Sequence, residues 1–135
     1  MSAKLDLLKA ATKFLYSKKG PEYGDLGGCG DTVSILIKVA MELRLRGVEM
    51  EFGNAYFPDG TAEGDPNAHA WLRVDGKLFD PSQYAHKFRV LKYELFDPEV
   101  HQGDLLECIV EFDKNTVAGW AEKTLEYLER RGFVA

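Results

Sequence analysis

The sequence has few cysteines, no long apolar run and no block of one charge, and each absence excludes a class of protein. Nothing in it approaches the ~20 apolar residues that a membrane span needs. Lysines interrupt the apolar residues of the first 19 positions every four or five residues, which is unlike a secretory signal. The two cysteines, Cys29 and Cys108, would rarely form a disulfide in a reducing compartment, so each thiol needs its own explanation. These features predict a cytoplasmic protein without a membrane segment.

Charge and length narrow the possibilities further. The 17 lysines and arginines are spread along a chain whose formal net charge is −5, so we do not expect a nucleic-acid partner. The 135 residues fit the usual size of one domain, about 100 to 150 residues, and no linker, repeat or low-complexity tract divides the chain. We therefore predict a single domain over residues 1–135.

Two amphipathic helices are predicted near the two ends of the chain. Apolar residues recur at the helical period over 3–16, and a glycine-proline pair at 20 and 21 ends this helix. The segment 116–131 has the same period and is expected to be capped by Asn115 or Thr116.

A third helix, between these two, has a wider apolar stripe. It is predicted to run from residue 31 or 32 to residue 46, largely surrounded by protein. Asp31 and Thr32 are its N-cap candidates, and Gly47 is the expected C-terminal glycine. This assignment places Cys29 on the turn that enters the helix.

The strands are predicted from alternation and turn residues. A strand is predicted over residues 48–57, because apolar and polar side chains alternate over 48–53, and a polar loop follows at 58–67. Two further strands, 68–74 and 77–80, flank Asp75-Gly76, which is typical of a two-residue hairpin turn. Two more strands are expected within 88–96 and 106–112. The order of helix, helix, a meander of strands and a final helix predicts an α+β fold.

Cys29 is the first candidate for chemistry. At the start of a helix, unpaired backbone N–H groups and the positive end of the helix dipole both favour a thiolate. Glycines at 27, 28 and 30 leave the side chain open to solvent or substrate. The alternative is a small buried cysteine in a turn.

His69 and Asp80 could complete a catalytic group. A cysteine nucleophile works best with a base that takes its proton and later returns it to the leaving group, and His69 lies on a strand between two alanines. Asp80 follows the hairpin, so its carboxylate could orient the imidazole. His69 could instead be a structural histidine, and Asp80 could simply belong to a turn after a strand.

The combination of motifs resembles a known family. The segments GGCGDTVSILIKVAMELRLRGVEMEFG and HAWLRVDGKLFDPS are similar to the core of the transglutaminase-like superfamily, within the papain-type cysteine enzymes. In that family a cysteine opens a buried helix, a histidine followed by Ala-Trp lies on a strand, and an aspartate usually followed by proline lies on the next strand. The similarity covers roughly residues 26–83.

This resemblance implies a papain-like or transglutaminase-like core, in which the helix that bears the nucleophile packs on an antiparallel sheet. Cys29 would be the nucleophile, His69 the general base and acid, and Asp80 the orienting residue. The family attacks an amide of a peptide or protein and forms a thioester, which water or an amine resolves. For so small a chain we favour hydrolysis. We expect Trp71, Tyr84 and Gly28 to contact the substrate.

Other functions remain open at this point. The fold could be retained in a binding module that has lost turnover, or in an accessory protein whose groove is lined by Trp71, Tyr84 and Tyr56. A metal is not expected, because His86, His101 and Cys108 lack the short paired spacing of a zinc site. No cofactor is expected either, and the sequence does not indicate an oligomeric state.

Overall fold

The computed structural model describes residues 3–18, 29–86, 89–96 and 112–134. These residues form four helices and four strands, a mixed arrangement that agrees with the α+β prediction. The elements are α1 (Ala3–Ser17), α2 (Cys29–Glu42), β1 (Val48–Phe57), β2 (Asp65–Val74), β3 (Lys77–Phe79), α3 (Pro81–His86), β4 (Lys92–Leu95) and α4 (Lys114–Arg130). The predicted end of the first helix at residues 20 and 21 and most of the predicted strand 106–112 lie outside the described residues. In the part of the chain that is described, no helix is both long and apolar enough to cross a bilayer.

The strands form one antiparallel sheet in the order β3-β2-β1-β4. Strand β1 has the predicted bounds, but β2 begins at Asp65, inside the predicted loop, because its pairing with β1 continues to the Phe57 and Asp65 pair. Strands β1, β2 and β3 pair in chain order, as in the predicted meander, but β4 does not pair with β3. Strand β4 lies on the other side of β1, where Tyr93 is opposite Ala55.

The core lies between the helices and one face of the sheet. Alternate residues of a strand point to opposite faces, and Ala70, Leu72 and Val74 of β2 join apolar side chains of α1, α2 and α4 in one buried cluster. The fully buried members include Leu8, Leu15, Val33, Leu36 and Leu128. His69 and Trp71 occupy the alternate positions of β2, so they belong to the other face of the sheet.

Helix α2 differs from the prediction at both ends. It begins at Cys29, so the predicted N-cap at Asp31 or Thr32 is wrong. Asp31 is buried inside the first turn, and its Oδ1 accepts a hydrogen bond of 2.8 Å from the backbone N–H of Phe112, a long-range contact that local sequence does not reveal. The helix ends at Glu42, well before Gly47, and Arg44 adopts a left-handed φ of 55° just after it.

Helix α4 also begins earlier than predicted. Its N-cap is Asp113, whose carboxylate accepts the backbone N–H of Thr116 at 2.8 Å, so neither Asn115 nor Thr116 is the cap. Aspartate satisfies the free N–H groups of a first helical turn as well as threonine or asparagine does.

The hairpin turn that leads to Asp80 is confirmed. Asp75 and Gly76 have φ values of 51° and 81°, the positive angles that a two-residue turn of this type requires. Strand β3 is short and pairs only with residues 72–74 of β2, so it does not cover the part of β2 that carries His69. The chain leaves β3 at Phe79 and enters α3 at Pro81, with Asp80 between them.

Candidate active site

Asp80 is held in place by the start of α3. Its Oδ1 accepts backbone N–H groups of Ser82 at 3.0 Å and of Gln83 at 3.4 Å. A carboxylate that accepts from the second and third following residues, with proline in the first helical position, is typical of an N-cap. The interpretation of Asp-Pro-Ser as a plain turn is therefore wrong, and the same three residues carried the signal for a helix.

His69 contacts the other oxygen of this carboxylate. Its Nε2 lies 2.8 Å from Asp80 Oδ2, and the two residues are only 7% and 4% exposed. An ionised carboxylate can only accept hydrogen bonds, so Nε2 carries the hydrogen and donates it. Asp80 thereby fixes both the orientation of the ring and the nitrogen that is left for other partners.

Cys29 lies near the ring of His69. It is the first residue of α2, it is half-buried, and its thiol is free of any disulfide. Cys29 lies near enough to His69 for its side chain to raise the pKa of the imidazole. Since Nε2 of His69 is engaged by Asp80, the nitrogen available to the sulfur is Nδ1. The structure thus brings the three residues together in the order sulfur, imidazole and carboxylate.

The electrostatics of the site favour a cationic histidine. Burial alone would lower the pKa of His69, but the hydrogen bonds and charges of Asp80 and Cys29 outweigh burial and raise the pKa from 6.5 to about 9. At neutral pH the ring is therefore protonated. A buried imidazolium is stable only beside groups that carry or accept negative charge, and here Asp80 is on one side and Cys29 on the other.

Two further residues of the site were missed by sequence reasoning. Tyr93 of β4 donates a hydrogen bond of 2.9 Å to Oδ2 of Asp80, and the hydroxyls of Tyr16 and Ser82 are 2.9 Å apart. Burial, the largest cause, and the nearby charges of Cys29 and Asp80 raise the pKa of Tyr16. Neither tyrosine lies in a recognisable motif, so only the tertiary structure identifies them.

The predicted substrate contacts have different surroundings. Trp71 is 1% exposed and its indole N–H donates to Glu51 Oε1 at 2.8 Å, so it offers almost no surface to a substrate. Tyr84 is half-buried and lines a cleft of about 390 Å³ between α1 and α3, which it shares with Tyr16. Gly28 lies outside the described residues. The hydroxyl of Tyr56 donates to Glu94 at 3.0 Å.

Among the residues that the structure describes, no group of three or more histidine, cysteine, aspartate or glutamate side chains is placed to bind an ion. The side chain of His86, and the whole of His101 and Cys108, are outside that part of the chain.

Comparisons of the chain with protein-family models, with curated proteins and with solved structures gave no match. The function is therefore inferred from the residues of this site and from their geometry.

Proposed function

We propose that this protein is a thiol enzyme of the transglutaminase-like kind, with a papain-like core, that attacks an amide carbonyl of a peptide or protein. The observation that supports this most strongly is the buried pair of His69 and Asp80, whose Nε2 and Oδ2 atoms are 2.8 Å apart, with Cys29 near the same imidazole. A nucleophile, a base and an orienting carboxylate in this order are what acyl transfer through a side chain requires. The position of the nucleophile at the start of a helix beside an antiparallel sheet also agrees with the resemblance.

The resting state is an ion pair of a thiolate and an imidazolium. A cation in contact with sulfur favours the thiolate, as do the unpaired N–H groups of a first helical turn. The raised pKa of His69, about 9, keeps the ring protonated at neutral pH, so a cation lies near the sulfur before the substrate binds.

The reaction proceeds through a thioester. The sulfur of Cys29 attacks the carbonyl carbon, the C–N bond breaks, and Nδ1 of His69 transfers its proton to the leaving amine. Nδ1 then takes a proton from an attacking water, and cleavage of the C–S bond returns the thiolate and the free acid. Asp80 remains ionised throughout and keeps Nε2 protonated.

The negative charge that develops on the carbonyl oxygen needs donors. The backbone N–H of Cys29 is the first donor that we propose, because the first N–H groups of a helix have no partner inside the helix. Water is the acceptor that we propose. A reduced thiol is essential to this chemistry, which fits the predicted cytoplasmic location.

The proposal is tested by acylation with p-nitrophenyl acetate, followed by mass spectrometry of the intact protein and of its peptides. We expect one acetyl group on Cys29, formed in a burst with release of nitrophenolate, because deacylation of a thioester follows acylation as a separate step. The Cys108→Ser variant should acetylate like the wild type, since Cys108 takes no part. Added hydroxylamine should compete with water for the thioester.

Two results would contradict the assignment. Release of nitrophenolate that persists unchanged in Cys29→Ala would reject Cys29 as the nucleophile. A wild type that is folded but acquires no acetyl group would favour the alternative of a binding module that keeps the fold without turnover.

A further inference from the structure

Tyr93 reaches the site across a neighbouring strand. It lies opposite Ala55 of β1, and the next residue on the same face of β1, Gly53, lies opposite His69 of β2. Cross-strand neighbours share a face of the sheet, so Tyr93 and His69 project from the same face on either side of β1. The two β1 residues between them are alanine and glycine, which leave space for large rings above the strand.

The ring of Tyr93 is fixed by packing. It makes an edge contact with Trp71, with ring centroids 5.0 Å apart and planes at 68°. Trp71 is itself held by Glu51, which accepts its indole N–H at 2.8 Å and also pairs with Arg73 at 3.0 Å. The direction of the phenol is thus set by its packing against Trp71.

The phenol and the imidazole share one oxygen atom. Oδ2 of Asp80 accepts Tyr93 Oη at 2.9 Å and His69 Nε2 at 2.8 Å, while Oδ1 is occupied by the backbone of α3. Burial, with the charge of Asp80, raises the pKa of Tyr93, so the phenol stays protonated and can act only as the donor toward this carboxylate.

We propose that Tyr93 is a positioning residue of the site, which shares Oδ2 of Asp80 with His69 and thereby sets how strongly the carboxylate holds the imidazolium. When one carboxylate oxygen accepts two hydrogen bonds, its attraction for each donor is weaker than it would be for a single donor. Tyr93 therefore weakens the hold of Asp80 on the imidazolium while it keeps Oδ2 in line with the ring. This proposal rests on the proposed function for the catalytic role of His69. The contacts of Tyr93 and His69 with Asp80 do not depend on that role.

The test is an NMR titration of the imidazole nitrogens of His69, assigned with a His69→Gln variant, in the wild type and in Tyr93→Phe. Phenylalanine keeps the ring against Trp71 and removes only the hydroxyl. Among the described residues, Asp80 and Cys29 are the groups whose charge or hydrogen bonds raise the pKa of His69. We expect the midpoint of His69 to rise by about half a unit to one unit in Tyr93→Phe, because Asp80 then accepts one donor fewer.

Tyr56→Phe is the matched control. Tyr56 lies on β1, and its hydroxyl also donates to a carboxylate, that of Glu94 at 3.0 Å, at an exposed position. Its loss should leave the midpoint of His69 unchanged. An unchanged or lower midpoint in Tyr93→Phe, or an equal rise in Tyr56→Phe, would overturn the proposal.

A second variant keeps the test valid if Tyr93→Phe does not fold. Replacing Tyr93 with 3,5-difluorotyrosine makes the phenol a stronger donor with little change of shape, so the midpoint of His69 should fall. A midpoint that stays the same or rises would contradict the sharing of Oδ2. Neither of these NMR measurements needs turnover. A failure of acetylation at Cys29 would therefore reject the proposed function and leave the proposal for Tyr93 standing. An unchanged midpoint of His69 in a protein that is still acetylated would reject the proposal for Tyr93 alone.

Discussion

Replacing Asp80 with alanine should remove the reactivity of the site and also lower the free energy of unfolding by about 3 to 5 kcal/mol, the cost of breaking a buried ion pair. The carboxylate accepts hydrogen bonds from His69, Tyr93 and the backbone N–H groups of Ser82 and Gln83, and alanine leaves all four donors without that partner. Urea unfolding at neutral pH measures the stability, and acetylation by p-nitrophenyl acetate measures the reactivity. Stability within about 1 kcal/mol of the wild type would contradict the central place of Asp80.

Asp80→Asn separates the charge of this residue from its hydrogen bonds. Asparagine is a good N-cap and can still accept from His69, but it removes the negative charge. The midpoint of His69 should then fall from about 9 back toward 6.5.

This change has a consequence for stability, with a definite sign. In the wild type the raised pKa of His69 stabilises the fold fully below about 6.5, and this contribution is lost as the pH rises through about 9. The unfolding free energy of Asp80→Asn should therefore fall less steeply than that of the wild type over this range. An equal pH dependence of the unfolding free energy in the two proteins would show that Asp80 does not raise the pKa of His69.

Replacing Gly53 with alanine should be the most damaging small change in the sheet. A β-carbon at this position would lie 2.0 Å from the carbonyl oxygen of Glu94 and 2.7 Å from the end of the Trp71 ring, so β4 and Trp71 would have to move. We expect a loss of about 3 kcal/mol in the free energy of unfolding, the upper range for overpacking. Displacement of Trp71 and Tyr93 should also slow the acetylation of Cys29.

Gly119→Ala is the matched control, with the opposite expected sign. Gly119 is exposed in the middle of α4, and a β-carbon there would meet nothing within 4 Å. Alanine should stabilise the protein by about 1 kcal/mol, because glycine is a poor helix former. A Gly53→Ala variant as stable as the wild type would mean that β4 does not approach β1 as closely as described.

The parts of the fold that local patterns determine could be predicted from the sequence. Strand β1 alternates over residues 48–53, and the Asp75-Gly76 turn needs positive φ angles that this dipeptide adopts readily. Residues whose structure depends on distant partners could not be predicted. Asp31 resembles an N-cap, yet it accepts the backbone N–H of Phe112, which lies far along the chain.

The site could be predicted only as far as its motifs extend. Cys29, His69 and Asp80 stand out because their types and order suit one kind of chemistry, and the structure brings them together, although their catalytic roles stay a prediction. Tyr93 lies in no recognisable motif. Its contact with Asp80 depends on the pairing of β4 with β1, on the side of β1 away from β2. Among the described elements, helix α3 was not predicted, although Asp80 followed by Pro81 is a local signal for the start of a helix.

The pH dependence of alkylation of Cys29 by iodoacetamide tests the ion pair most directly, with Cys108→Ser and its His69→Ala derivative compared from about pH 5 to about pH 10. With His69 present, alkylation of Cys29 should remain fast at about pH 6. In the His69→Ala derivative the reaction at this pH should be about 100-fold slower, because an ordinary thiol is almost entirely protonated there. Rates that follow the same ordinary thiol titration in both proteins would contradict the account.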